Sequence, residues 1–149
     1  MAVEGILDKQ IVDLDMTAKN KEEVIRHLSG LLKQGGYIED LEGYIKDVYL
    51  REAEGITGIG NHVAIPHGKS EHVKHVGIAV GRTRQMVEWE SYDGKPVGLF
   101  FLFAVPTDPE GAKDHLRLIA ELAGKLGNDQ IMGKLQTAKS YDDLLNAFI

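Results

Sequence analysis

The stretch richest in chemistry runs Arg51-Glu52-Ala53-Glu54-Gly55-Ile56-Thr57-Gly58-Ile59-Gly60-Asn61-His62-Val63-Ala64-Ile65-Pro66-His67-Gly68, closing on a histidine held between proline and glycine. Pro66 fixes its own φ and confines Ile65 to extended conformations, while Gly68 removes a side chain beside the imidazole and lets another backbone approach. His67 should therefore project from a stiff strand end. An imidazole with an ordinary pKa near roughly 6.5 is largely neutral at physiological pH, so one nitrogen can attack while the other is held as a donor. That is the profile of a covalent nucleophile. Phosphoryl transfer needs little more than such a group, because positioning and charge stabilisation of the equatorial oxygens supply most of the catalysis.

A phosphoryl acceptor has to gather donors. Arg51 offers a planar fork, Thr57 a hydroxyl, and the turns from Gly58 to Asn61 several backbone amides. His115 is expected in the first turn of a helix, where free amides and the dipole favour an anion. Each residue also has a plainer explanation. A strand-end histidine often satisfies a backbone carbonyl, an arginine at a helix C-terminus suits the dipole, and a threonine between glycines often satisfies its own loop. A cation is disfavoured at a helix N-terminus, whereas a neutral imidazole donating to an anion is not, so the functional reading of His115 is the better one.

The elements that must position these groups follow from periodicity. Gln10 to Asp15 alternates and reads as a short strand. Asn20 caps a helix with Glu23 three residues on; Val24, Leu28, Leu31 and Leu32 form its stripe and Gly35-Gly36 ends it. A second helix, from about Asp40 to Arg51, carries Leu41, Tyr44, Ile45, Val48 and Tyr49 on one face and delivers Arg51 at its end. Gly55, Gly58 and Gly60 predict a loop, followed by a short strand at Val63-Ala64-Ile65 that Pro66 interrupts. Further strands are expected at Val76 to Val80, at the sheet edge from Met86 to Trp89, and at Val97 to Val105, the most apolar run and the central strand. Asp108-Pro109 starts a long helix closed by Gly127, and shorter helices follow Asn128 and Ser140. The expectation is one α/β domain over residues 1–149, with a mostly buried sheet of about five strands.

Composition excludes several classes. The 149 residues are 43% hydrophobic and 27% charged, the balance of a globular domain able to bury roughly two thirds of its unfolded surface. Seventeen basic against 23 acidic residues give a formal charge of -6, which argues against nucleic acid as a partner. There is no cysteine, so thiolate metal sites and cysteine nucleophiles are unavailable, and a reducing cytoplasm is compatible. The start, Met1-Ala2-Val3-Glu4-Gly5, lacks the pattern of a signal peptide, and no apolar run approaches the roughly 20 residues that span a bilayer. A cytoplasmic protein without membrane insertion is expected. No Gly-x-x-x-x-Gly-Lys-Ser/Thr loop provides for a nucleotide. Zinc on His62, His67, His72 and His75 is a competing reading, but their spacing fits no standard site and leaves the Pro-His-Gly context and His115 unexplained.

Gly58-Ile59-Gly60-Asn61, Val63-Ala64-Ile65-Pro66-His67-Gly68-Lys69-Ser70 and the upstream Arg51-Glu52 together resemble the fructose/mannitol-type enzyme IIA family of the bacterial sugar phosphotransferase system. Gly77-Ile78-Ala79-Val80, Trp89 with Asp93-Gly94-Lys95-Pro96-Val97, and Phe101 to Pro106 followed by His115-Leu116 extend the resemblance over essentially the whole chain. The resemblance implies a mixed sheet flanked by helices and a phosphoryl group carried on Nε2 of the histidine matching His67, with the matching Arg51 and His115 near it. Thr57, Asn61 and Gly68 are expected to bind phosphate or support the site, and neither cofactor nor metal is implied.

The implied partners are the histidine-phosphocarrier protein as donor and an enzyme IIB cysteine as acceptor, the latter linked to a membrane enzyme IIC. Since this sequence has no cysteine, that thiol is expected on a separate chain. A nitrogen-type regulatory homologue shares the histidine and uses its phosphorylation to control partner proteins. Val87-Glu88-Trp89 and the Gly77 to Gly81 strand look nearer to the sugar-transport members. His62 departs from the small residue common in the family, and its bland reading is a tolerated substitution exposed on the loop.

Overall fold

The apolar runs and amphipathic stripes sort into six strands and six α-helices over residues 3–149, the part of the chain described by a computed structural model. In chain order these are α1 (Val3–Ile6), β1 (Val12–Met16), α2 (Lys21–Gln34), α3 (Leu41–Glu52), β2 (Gly58–Gly60), β3 (Val63–Ala64), β4 (His67–Lys69), β5 (Gly77–Val87), β6 (Val97–Val105), α4 (Pro109–Leu126), α5 (Asp129–Thr137) and α6 (Tyr141–Ala147). A 3₁₀ turn, Lys9–Ile11, leads into β1, so that strand starts later than its alternation suggested.

Helix starts follow their side-chain caps. The Asn20 carboxamide accepts from the Glu23 amide at 2.9 Å, and the Glu23 carboxylate reaches back to the Lys19 amide at 3.1 Å. Asp40, Asp108, Asn128 and Ser140 cap α3, α4, α5 and α6 in the same way.

The sheet is ordered β1-β5-β6-β3-β2 and is mixed: β1 lies parallel to β5, β5 antiparallel to β6, and β3 parallel to β6. β4 also pairs in parallel with β6, further along it, opposite Phe103, Ala104 and Val105. Thus β3 and β4 form one line beside β6, broken where Pro66 can donate no ladder hydrogen bond.

All nine residues of β6 are buried, as a strand covered on both faces requires. Its side chains alternate between two cores. Phe100, Leu102 and Ala104 pack with Leu28 and Leu32 of α2 and with Tyr44 and Val48 of α3. Leu99, Phe101, Phe103 and Val105 pack with Leu118, Leu122 and Leu126 of α4 and with residues of α5 and α6. The protein is therefore an α/β sandwich with helices on both faces of the sheet.

Three expectations are corrected. β2 and β4 raise the strand number to six, because Gly58–Gly60 pairs with β3 and the chain resumes pairing after Pro66. Met86 and Val87 are not in a separate edge strand; β5 continues through them, with an irregular register, until Val87 meets Val97. Trp89 lies beyond the strand, buried against Phe100 with ring centroids 5.0 Å apart. Among the described residues no helix is long and apolar enough to cross a membrane.

Candidate active site

Strand parity decides where His67 points. It is the register partner of Phe103, whose side chain lies on the α4 face, so the imidazole emerges on that face beside the helix carrying His115. The two histidine rings lie 4.9 Å apart, and His115 stands edge-on to Phe103 at 5.6 Å. Gly68, next along the strand, faces α3. A Cβ there would come within 2.8 Å of Tyr44 and Val48, so the missing side chain admits α3 rather than another backbone. Tyr44 then donates its buried hydroxyl to the Phe103 carbonyl at 2.7 Å, locking α3 onto the sheet.

That docking brings the last turn of α3 to the histidine. Arg51 Nε donates to His67 Nε2 at 2.9 Å, and its guanidinium is steadied by the Gly55 carbonyl at 3.3 Å. On the other side of the ring, Nδ1 lies 3.3 Å from the Ile65 carbonyl. A carbonyl can only accept, so Nδ1 carries the proton and Nε2 the lone pair. Proline's restriction of Ile65 thus has a chemical result: it holds that carbonyl where it selects the tautomer.

Burial lowers the His67 pKa; the Ile65 carbonyl works against this and the Arg51 charge adds to it. His115 is pushed down to about 4, chiefly by burial and then by the charges of His67, Lys69 and Arg51. Both rings are therefore neutral at neutral pH. Nδ1 of His115 is buried without a hydrogen-bond partner among the described residues. Lys69, two residues beyond His67 in β4, shares its face and adds positive charge to this corner. Period-two alternation was the available signal for it.

The structure brings together His67, Arg51 and His115 but not every expected helper. His115 sits in the second turn of α4, not the first, and the first-turn Gly111 amide is already capped by Asp108 at 3.1 Å. Its place beside His67 comes from packing, not from the helix terminus. Thr57 is 3% exposed; its hydroxyl donates to the Glu52 carboxylate at 2.7 Å and accepts from Trp89 Nε1 at 3.0 Å.

The amides of Gly58, Gly60 and Asn61 go to the Glu90 carbonyl, Ser91 Oγ and Asp93 Oδ2. Asn61 and His62 form the two-residue turn between β2 and β3, both in the left-handed region with φ of 55° and 66°. The His62 carbonyl accepts from the Leu99 amide, and a strand rise of ~3.3 Å per residue puts about 13 Å between Leu99 and Phe103, the partner of His67.

His62 is half-buried rather than exposed, with Nδ1 2.8 Å from the Pro96 carbonyl. His72 lies 3.9 Å from Asp40 and Glu71, and His75 stands edge-on to Tyr37 at 6.3 Å. The four histidines of the zinc reading thus have separate surroundings, and among the described residues no three His, Asp or Glu side chains gather as a metal-holding group.

The site therefore presents a neutral nucleophilic nitrogen, a guanidinium touching it, a second neutral imidazole and a nearby ammonium. That arrangement can accept a transferable anionic group and hold its charge.

The family profile described as "Phosphoenolpyruvate-dependent sugar phosphotransferase system, EIIA 2" matches residues 5–149. The chain is 34% identical over 147 residues to the PTS system fructose-specific EIIABC component of Bacillus subtilis (strain 168), covering 98% of this chain but only 23% of that protein's length. It is 30% identical over 130 residues to the PTS system fructose-like EIIA component of Escherichia coli (strain K12), covering 87% of this chain and 86% of that protein. The crystal structure of nitrogen regulatory protein IIA-Ntr from Neisseria meningitidis superposes with a TM-score of 0.89 at 32% identity, covering 99% of each chain. The sequence, its mixed sandwich and these likenesses together show that the chain belongs to the EIIA 2 family of the phosphoenolpyruvate-dependent sugar phosphotransferase system.

Proposed function

We propose that this protein carries a phosphoryl group on Nε2 of His67, taking it from the histidine-phosphocarrier protein and giving it to a cysteine of an enzyme IIB. The observation that carries this reading is the pair of contacts on one ring: Nδ1 committed to the Ile65 carbonyl and Nε2 met by Arg51 at 2.9 Å. In the forward step the Nε2 lone pair forms the new P–N bond. The P–N bond to the carrier's histidine breaks, and its electron pair returns to that ring. Arg51 moves from the lone pair to the phosphoryl oxygens, His115 and Lys69 add stabilisation, and the Ile65 carbonyl offsets the positive charge that grows on the His67 ring. In the second step an enzyme IIB thiolate attacks phosphorus and the electrons of the P–N bond restore neutral His67.

Thr57 and Gly68 support this chemistry through packing and hydrogen bonds, while the Asn61 amide, bound to Asp93, serves the hairpin. The acceptor thiol belongs to an enzyme IIB outside this cysteine-free sequence, linked to a membrane enzyme IIC, with the relay working in the cytoplasm. Fructose or a related sugar or alditol is the proposed cargo, following the names of the Bacillus subtilis and Escherichia coli relatives.

The experiment is incubation with phosphoenolpyruvate, enzyme I and the carrier, followed by intact-mass measurement of the wild type and His67→Ala. One acid-labile phosphoryl group on the wild type and none on the variant is expected; equal labelling of the variant sinks the proposal.

A second reading, control of partner proteins by phosphorylation state, is favoured by the likeness to the Neisseria meningitidis regulatory protein over 99% of both chains. Transfer onward to candidate enzyme IIB proteins separates the two readings. Failure with all of them, with labelling intact, selects regulation.

A further inference from the structure

Behind Arg51 and His67 lies a chain of polar contacts that ties the end of α3 to the Thr57 loop. Lys21, at the start of α2, places Nζ 2.6 Å from one oxygen of Glu52 and 2.7 Å from Glu90, and 4.7 Å from the centre of the Trp89 ring. The other Glu52 oxygen accepts from the Thr57 hydroxyl at 2.7 Å, and that hydroxyl accepts from Trp89 Nε1 at 3.0 Å. Through its backbone, Thr57 offers its carbonyl to the Ile65 amide at 2.9 Å, and Ile65 in turn holds His67 Nδ1. The Glu52 side chain is 6% exposed, an expensive place for a carboxylate unless every lone pair is used.

Two facts make this more than local packing. Glu52 is the residue after Arg51 in the last turn of α3, so whatever fixes Glu52 also fixes the direction from which the guanidinium reaches His67. Thr57 anchors both halves of the site, Glu52 through its side chain and the tautomer-selecting carbonyl through its backbone. An apolar core would hold these segments together as strongly but would not specify their register.

We infer that Thr57 and Glu52 are positioning residues for phosphoryl transfer, braced by Lys21 and Trp89, and that they act by keeping Arg51 and the His67 tautomer in register. The inference rests on His67 being the phosphoryl acceptor. Without the Thr57 hydroxyl, the end of α3 loses its direct tie to the segment leading into β2, and Trp89 Nε1 loses its acceptor. Ile65 then loosens, and the His67 proton redistributes toward Nε2, the nitrogen that must attack.

The test compares Thr57→Val, which keeps shape and removes the hydroxyl, with Thr57→Ser, which keeps the hydroxyl. Single-turnover labelling from phosphorylated carrier should slow by about 10- to 100-fold in Thr57→Val, the range expected for a misplaced catalytic group. It should stay near wild type in Thr57→Ser. The ¹⁵N shifts of the His67 ring should show the Nε2–H tautomer gaining in Thr57→Val alone. In an Arg51→Ala background the same substitution should cost much less, since its main target is gone.

A wild-type rate in Thr57→Val, or an unchanged His67 tautomer with full additivity to Arg51→Ala, overturns the positioning role. Should Thr57→Val not fold, Lys21→Met is read in its place: slower transfer with a shifted ring tautomer supports the positioning role, and an unchanged rate and spectrum overturns it. Labelling of His67→Ala would instead defeat the acceptor reading. An unlabelled His67→Ala beside a fully active Thr57→Val defeats the positioning role alone.

Discussion

Gly68→Ala adds one methyl group where the structure leaves room for none. The new Cβ would lie 2.8 Å from Tyr44 Cε1, 2.8 Å from Val48 Cγ2 and 3.1 Å from Tyr44 Cζ, against the ~3.5–4.0 Å that carbon atoms prefer. Neither neighbour yields cheaply. Both are fully buried, and the Tyr44 ring is held by its hydroxyl on the Phe103 carbonyl, a bond whose loss would strand a buried acceptor at a cost of about 1–3 kcal/mol. The easier response is for α3 to move outward by several tenths of an ångström, and overpacking of this kind costs about 1–3 kcal/mol. At ~2–4 °C per kcal/mol for a chain of this size, the melting temperature should fall by about 5 °C. Since α3 carries Arg51, the folded variant should also accept the phosphoryl group more slowly. Thermal melts followed by circular dichroism, together with single-turnover labelling, measure both effects, and Val48→Ala in the same chain should recover part of the stability by removing one colliding methyl. A Gly68→Ala protein with wild-type melting and rate would refute the claim that this glycine exists to seat α3.

Two further expectations follow from buried rings and strained turns. The folded pKa of His115, about 4, lies below the ordinary 6.5, so as pH falls through this window the unfolded chain takes up a proton that the folded one refuses; stability drops, and His67 adds to the fall with the same sign. Urea midpoints between pH 7 and 4 should therefore decline less steeply in His115→Asn, and equal slopes would show that the ring is not held neutral. At the β2–β3 turn, His62→Gly relieves a left-handed residue but loses the Pro96 contact and gains unfolded-state entropy, leaving stability within about 1 kcal/mol of wild type. His62→Val should cost about 2 kcal/mol, because a β-branched side chain fits that region poorly. Both should label at His67 like wild type, and lost labelling in a folded His62 variant would give that imidazole a role in transfer.

Much of the frame could be read in one dimension because its causes are local. Asn20 with Glu23 and Asp108 with Pro109 announce helices by side chains that cap their own backbone, and β6 by a run too apolar to lie anywhere but inside. His67 was likewise marked by its immediate neighbours, Pro66 and Gly68. What escaped depends on partners distant in sequence. β4 is a strand only because β6 offers it a free edge beyond the proline, and β2 only because β3 turns back along it. Thr57 reads as a phosphate donor, but the fold buries it, turns its hydroxyl proton onto the Glu52 carboxylate and sets Trp89, 32 residues away, as a donor to its oxygen. The first-turn placement of His115 had a simpler flaw: counting ~3.6 residues per turn from Pro109 already places it in the second.

β6 also carries a hazard. Val97-Gly98-Leu99-Phe100-Phe101-Leu102-Phe103-Ala104-Val105 has no charge and no proline, and its β-branched and aromatic residues suit it to stacking on copies of itself. In the folded protein both of its edges are occupied, by β5 and by the β3–β4 line. Its flanks, Lys95-Pro96 and Pro106, are residues that interrupt such stacking. Any substitution that loosens the sandwich thus exposes the most self-adhesive segment of the chain. Precipitation on warming, more than loss of chemistry, will then set how far this scaffold can be altered, and dilute refolding is the gentler route to its weakened variants.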